Sequence, residues 1–276
     1  MVGSRRRRDA AAAVHGGELD ARAEALRALA RSPVPFLVAG AYALFEYTGI
    51  YRYTKDLDLF VRERDLEDAL RALEAAGFRT EVTDPDWIAK AWRGPWYVDL
   101  IFSSGNGVAV VDDAWFDHAR RGRVMDVGVL LAPPEEMIWS KSFVLERERY
   151  DGADVNHLLH ACARGLDWRR VLARFDRYWE VLLSHVMLFR FAYPGSTEVV
   201  PDWVMEELLG RVQLTRPRPV TPDSICRGNL ISRVQYQHDL ERGLGDGRRW
   251  DEADRSPREA EVDGGRERGL PAGGGG

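Results

Sequence analysis

The chain has 276 residues, 45% of them hydrophobic, with a formal net charge of -5. That length allows one large domain or two small ones with a proper core, and the charge argues against a protein that coats nucleic acid non-specifically. The apolar stretches "VPFLVAGAYALF" and "VLLSHVMLF" fall short of the roughly 20 residues a spanning helix needs, and the basic opening "MVGSRRRRDAAAAVHGG" is followed by no secretory apolar run, so the expected location is cytoplasmic.

Residues 1–18 are rich in Arg, Ala and Gly, and residues 248–276 carry almost no large apolar side chains, so both ends are expected to be disordered. Between them, "ELDARAEALRALARS" places Leu19, Ala23, Leu26 and Leu29 at helical spacing and stops before Pro33. "VPFLVAG" reads as a short buried strand ending at Gly40, and "AYALFEYTG" as a helix closed by Gly49. "DLDLFVR" reads as a second strand, and "ERDLEDALRALEAAGF" as an amphipathic helix with Gly77 at its end. "RTEV" fits a short strand, "DPDWIAKAWR" a brief helix and "WYVDLIF" a further strand. This alternation defines an α/β layer over residues 19–132.

After "VGVLLAPPEE" the pattern turns helical. Pro133 and Pro134 sit where a helix begins, with Glu135 and Glu136 in its first turn, as the helix dipole prefers. "PEEMIWSKSFVLERERY", "DGADVNHLLHACARG", "DWRRVLARFDRYWEVLLSHVMLFRFAY", "PDWVMEELLGRVQ" and "RGNLISRVQYQHDLERG" read as successive helices of a second, all-α domain over residues 133–247. Cys162 and Cys226 lack metal-binding spacing and read as reduced thiols.

The chemistry concentrates in "RYTKDLDLFV". In a strand, side chains at i and i+2 share a face, so Asp56 and Asp58 point one way and Leu57 and Leu59 the other. Two carboxylates so placed lie about 6 to 7 Å apart and repel unless a cation sits between them. Mg²⁺, which takes oxygen ligands from one or two carboxylates and substrate phosphates, is the natural partner. Asp99, in the apolar run "WYVDLIF", is costly unless it is paired or ligates a metal. Three aspartates on adjacent strands are the minimum for a two-metal site.

Upstream, the strand-to-helix turn at Gly40 and Ala41 leaves free backbone N–H groups at a helix N-terminus, an anion site. Lys55, Lys90 and Lys141 are the chain's three lysines among many arginines, and each is a candidate for a place that wants a compact ammonium. Met137, Ile138, Val144 and Leu145 surround Lys141 at helical spacing, so it faces inward and wants an anion. Asp151 and Asp154 read as helix-start acids, His157 and His160 as a solvated face, and Trp87, Trp92, Trp96 and Tyr97 as core.

A strand ending in Gly, a helix, "RYTKDLDLF" and a later Asp in an apolar strand resemble the DNA polymerase β-type nucleotidyltransferase superfamily, over residues 34–102. The resemblance implies a small mixed-sheet catalytic core followed by a helical domain. It implies two Mg²⁺ ions, with Mn²⁺ as a substitute, held by Asp56, Asp58 and Asp99. It places the triphosphate of an NTP at Gly40 and Ala41, with Arg52, Thr54, Lys55 and Lys141 around it. Related enzymes carry the Lys, then an Arg and an Asp-x-x-Asp, and "KSFVLERERYDGAD" looks like that arrangement. The sequence departs from the pattern at Ala41, where Ser or Gly is usual, so phosphate contact there falls to backbone N–H groups.

The implied activity is transfer of a nucleoside monophosphate to a hydroxyl acceptor, a small molecule or protein rather than RNA, with release of pyrophosphate. Two other readings are a non-catalytic nucleotide-binding or toxin-antitoxin-type module, favoured by Ala41, and a metal-dependent hydrolase using the same acids.

Overall fold

The computed structural model describes residues 2–215, 224–249 and 251. Helix α1 runs Val2–Arg31, whereas the sequence places its start near Leu19 after a disordered end. Four consecutive alanines, Ala10–Ala13, and the arginines before them are strong helix formers, and they extend the helix towards the terminus. Its Ala25, Leu26 and Leu29 are buried in the core.

Strand β1 (Leu37–Val38) leads into α2 (Gly40–Thr48), which Gly49 ends in the left-handed conformation with its N–H on the Phe45 carbonyl. Next come β2 (Asp58–Phe60) and α3 (Leu66–Ala75), then β3 (Arg79–Asp84), β4 (Ile88–Arg93) and β5 (Trp96–Ile101). A short α4 (Asp113–Asp117) precedes the hairpin of β6 (Arg120–Val124) and β7 (Val127–Leu131). The seven strands form one mixed sheet in the order β3-β4-β5-β2-β1-β7-β6. β2 and β5 are parallel, as are β1 and β7, and the other pairs are antiparallel.

Two strands depart from the sequence-based expectation. "DPDWIAKAWR", expected to be a brief helix, holds β4, which is hydrogen-bonded on both sides and buries Ile88, Ala89 and Ala91. Ladder pairing on two flanks outweighs the high helix propensity of its Ala and Lys residues. β6 carries no local turn signal, because Met125 and Asp126, with φ of 48° and 62°, make a tight turn that glycine or asparagine usually marks.

The helical part comprises α5 (Pro134–Ser142), α6 (Gly152–Cys162), α7 (Trp168–Phe175), α8 (Trp179–Ala192), α9 (Asp202–Thr215) and α10 (Arg233–Glu241). The long helix expected across "DWRRVLARFDRYWEVLLSHVMLFRFAY" is two, broken at Asp176, whose φ is 40°. α5 ends eight residues before Tyr150, where a continuous helix was expected. The His185 ring meets the Ser142 carbonyl at 2.9 Å at that end. A short parallel pair, β8 (Ile225–Cys226) with β9 (Gly245–Asp246), lies near the C-terminus. The start of the expected disordered tail is tied down: buried Asp251 accepts from Tyr178 at 2.9 Å and Arg227 at 2.7 Å. Residues 252–276 lie outside the described residues. A single hydrophobic core runs from α1 through the sheet into α5 to α9. Among the described residues no helix is long and apolar enough to cross a membrane.

Candidate active site

Asp58 opens β2, and Asp99 stands directly across from it in the parallel pairing with β5. Asp56 lies in the loop just ahead of β2, two residues short of the regular strand. Leu57, Leu59 and Val61 are fully buried on the opposite side and anchor the segment. One carboxylate oxygen from each of Asp56, Asp58 and Asp99 lies within 4.8 Å of the others. Among the described residues this is the one group of acids, histidines or cysteines so gathered. His157 and His160 are not part of it, and His160 instead packs on the Tyr193 ring.

Thr54 fixes Asp56 by donating its hydroxyl to the carboxylate. The loop is pinned in turn by Arg22 of α1, which donates to the Thr54 carbonyl at 3.1 Å, to Tyr42 at 2.9 Å and to buried Glu18 at 2.6 Å. Gly40 is demanded twice over: its φ is 56°, and a Cβ there would lie 1.7 Å from Asp58 Oδ2. The Asp58 carboxylate thus sits against the start of α2. The first intrahelical bond of α2 runs from the Ala43 N–H to the Ala39 carbonyl, so the amides before Ala43 are left for other acceptors.

Burial, then the neighbouring Asp56 and Asp99 charges, push the Asp58 carboxyl up to about 6, against the pull of Lys141 and Arg149. Burial also raises Asp99, opposed by the Lys90 ammonium that donates to its Oδ1. Three convergent carboxylates, of which Asp58 and Asp99 are held above the ordinary range, are short of positive charge, and their oxygen donors suit a hard divalent cation.

The facing wall is cationic. Lys141 of α5 is nearly buried, as its inward position in the sequence predicts, although Val144 and Leu145 lie past the helix end. Its ammonium sits 2.9 Å from both Asp151 and Asp154. Burial works to lower the Lys141 ammonium, but Asp151 and Asp154 outweigh it and hold it above its ordinary value. Asp151 occupies the cap position of α6 without making a side-chain cap bond. The acids expected to cap that helix grip a buried cation instead, because a charge-assisted bond to a desolvated ammonium is the stronger interaction.

Arg149, not singled out by number in the sequence, reaches the cleft from the loop between α5 and α6 and contacts Asp151 at 3.2 Å. Arg52 is half-exposed and donates to buried Asp154. Lys55 is exposed and does not line the cleft.

These groups line a cleft of about 530 Å³ together with Gly40, Ala41 and Trp87. Trp92 and Tyr97, expected in the core, are only partly buried and pack on each other at 4.7 Å. A second cavity of about 980 Å³ adjoins the cleft, sharing Trp87, Ser104, Gly105, Ser140 and Val144. Its far side mixes Asp86, Glu146 and Glu241 with Arg233 and Arg248.

No protein-family model and no curated protein matches the chain. Among solved structures it is similar to the antibiotic-resistance factor ANT(2'')-Ia, with 17% identity and a TM-score of 0.45 over 62% of this chain and 97% of that one. It is also similar to the lincosamide antibiotic adenylyltransferase LnuA, with 18% identity and a TM-score of 0.34 over 45% of this chain and 85% of that one. JHP933 from Helicobacter pylori shares 13% identity, with a TM-score of 0.37 over 82% of this chain and 95% of that one. At such identities and scores, function has to be argued from the side chains of the site.

Proposed function

We propose that the chain is a nucleotidyltransferase that moves a nucleoside monophosphate from an NTP to a hydroxyl acceptor and releases pyrophosphate. The observation that carries this reading is the convergence of Asp56, Asp58 and Asp99 within 4.8 Å at a cleft, opposite a wall that holds Lys141 and Arg149. A hard divalent cation such as Mg²⁺, held by the three aspartates, would neutralise phosphate charge and make the acceptor hydroxyl more acidic.

The chain's own residues divide the remaining tasks. The free amides at the start of α2 and the cations Lys141, Arg149 and Arg52 bind and orient the triphosphate. Ala41 lines the cleft and contributes its backbone N–H, so the missing hydroxyl does not remove the anion site. The acceptor oxygen attacks the α-phosphorus in line, the bond to the pyrophosphate oxygen breaks, and Asp99 receives the hydroxyl proton. The acceptor occupies the adjoining cavity of about 980 Å³, against the Trp87 ring. The mixed charge of that cavity favours a small polar molecule over RNA, whose phosphates call for a continuous basic surface.

The test is incubation with α-labelled NTPs and Mg²⁺ against aminoglycosides, RNA and cell lysate. Label should pass to an acceptor, with pyrophosphate as co-product, and Asp56→Ala should abolish the transfer. Absence of transfer to every acceptor, or transfer that persists in Asp56→Ala, overturns the proposal.

A further inference from the structure

Lys90 stands directly across from Asp99 in the β4–β5 ladder, as Asp58 does in the β2–β5 ladder. Cross-strand partners share a face, so Lys90, Asp99 and Asp58 form a row at strand spacings of about 4.8 Å. The Lys90 ammonium donates to Asp99 Oδ1, and its side chain is only 20% exposed. The same ammonium lies 4.1 Å from the centre of the Tyr97 ring, which Trp92 backs at 4.7 Å. One cation thus has two partners within reach: a carboxylate oxygen of the aspartate group and an aromatic face.

That arrangement has a consequence for the site. A cation held by all three aspartates has to share Asp99 with Lys90, and like charges on one carboxylate oppose each other. A lysine can give way, because its compact head rides on a flexible four-carbon stem and the Tyr97 face offers a second resting place.

We propose, on the reading of the three aspartates as a divalent-cation site, that Lys90 is a positioning residue that serves as the internal counter-ion of Asp99. It yields Asp99 Oδ1 when a divalent cation is bound, and so sets how tightly the site holds that cation. Lys90 holds Asp99 in place when no cation is bound and weakens, without abolishing, the hold of the acidic cluster on cations in the absence of substrate.

The test is Mn²⁺ binding to the nucleotide-free full chain, followed by the electron paramagnetic resonance of the free ion at mildly alkaline pH, with melting temperature as the control for folding. Lys90→Gln should bind Mn²⁺ about tenfold more tightly, the size expected when one charge-assisted bond no longer competes. Lys90→Arg, which keeps the charge, should stay near wild type. In an Asp99→Asn background the effect of Lys90→Gln should shrink to less than about threefold, since the contested anion is gone. Equal effects in both backgrounds would show a general charge effect and overturn the proposal, as would wild-type or weaker binding by a folded Lys90→Gln. Should Lys90→Gln not fold, Tyr97→Leu decides: with its second resting place removed the lysine yields less readily, so binding should weaken about threefold, and unchanged binding overturns the proposal. Absence of Mn²⁺ binding in the wild type overturns the cation-site reading and the role of Lys90 together, whereas wild-type binding without a Lys90 effect overturns only the latter.

Discussion

At Gly40 two demands coincide, a φ of 56° and an Asp58 oxygen that would lie 1.7 Å from any Cβ. Gly40→Ala must therefore strain the backbone, at about 1 to 2 kcal/mol, and also displace the Asp58 carboxylate. Urea unfolding should report the first cost, and the transfer rate should fall about 100-fold, as for a misplaced reacting group; a fully active Gly40→Ala would contradict this placement. Asp58 supplies a second prediction. Its carboxyl is pushed up to about 6 in the folded protein, so between about pH 4 and pH 6 the folded state holds a proton that the unfolded chain has lost. Stability then falls as pH rises through that window, by on the order of 2 to 3 kcal/mol in total. Asp58→Asn should stabilise chelator-treated protein at neutral pH and flatten the decline; parallel stability curves for the two proteins would refute the assignment.

Among the helices and strands, the tie between α5 and α7 shows how one pattern can carry two meanings. Glu135 and Glu136 fit the acid preference of a helix start, yet both are buried and bind Arg170 and Arg174 of α7. Arg174 is also gripped by Asp112. Glu136→Ala should leave the part-buried Arg170 and Arg174 short of a partner, at about 3 kcal/mol. For a chain of this size the melting temperature should drop by about 10 °C, while Mn²⁺ binding stays unchanged; a variant with wild-type melting would show that Asp112 and Glu135 suffice.

The same contrast explains what the sequence reveals and what it hides. Asp56 and Asp58 were readable because buried Leu57 and Leu59 alternate with them, and Gly40 and Gly49 because each bounds a helix. The partnership of Lys90 with Asp99 is not visible in "DPDWIAKAWR", whose local pattern is helical. That segment becomes a strand only through ladders on both flanks and the turn at Gly94, whose φ is 58°. Arg149 was hidden because nothing local in "KSFVLERERY" marks the end of α5 at Ser142.

Across the whole molecule, the cleft joins its two parts electrostatically. The acids come from the sheet, the facing cations Lys141 and Arg149 from the helical part, and Arg52 crosses from one to the other to reach Asp154. A bound triphosphate would complete this arrangement, but only if the three aspartates are neutralised first, because phosphate and carboxylate repel. A non-reactive NTP analogue alone should therefore raise the melting temperature little, and Mg²⁺ alone only modestly. Together, at about a hundred times the dissociation constant, they should add about 2.7 kcal/mol, or roughly 5 to 10 °C for a chain of this size. Asp56→Ala should erase the joint effect while leaving the unliganded melting temperature close to wild type, since Asp56 lies outside the core in the loop ahead of β2. Stabilisation by the analogue that is equal with Mg²⁺ and with chelator would mean that the triphosphate is held without the aspartates. The chain would then be a nucleotide-binding module, and Lys141, Arg149 and the α2 amides would be its whole site.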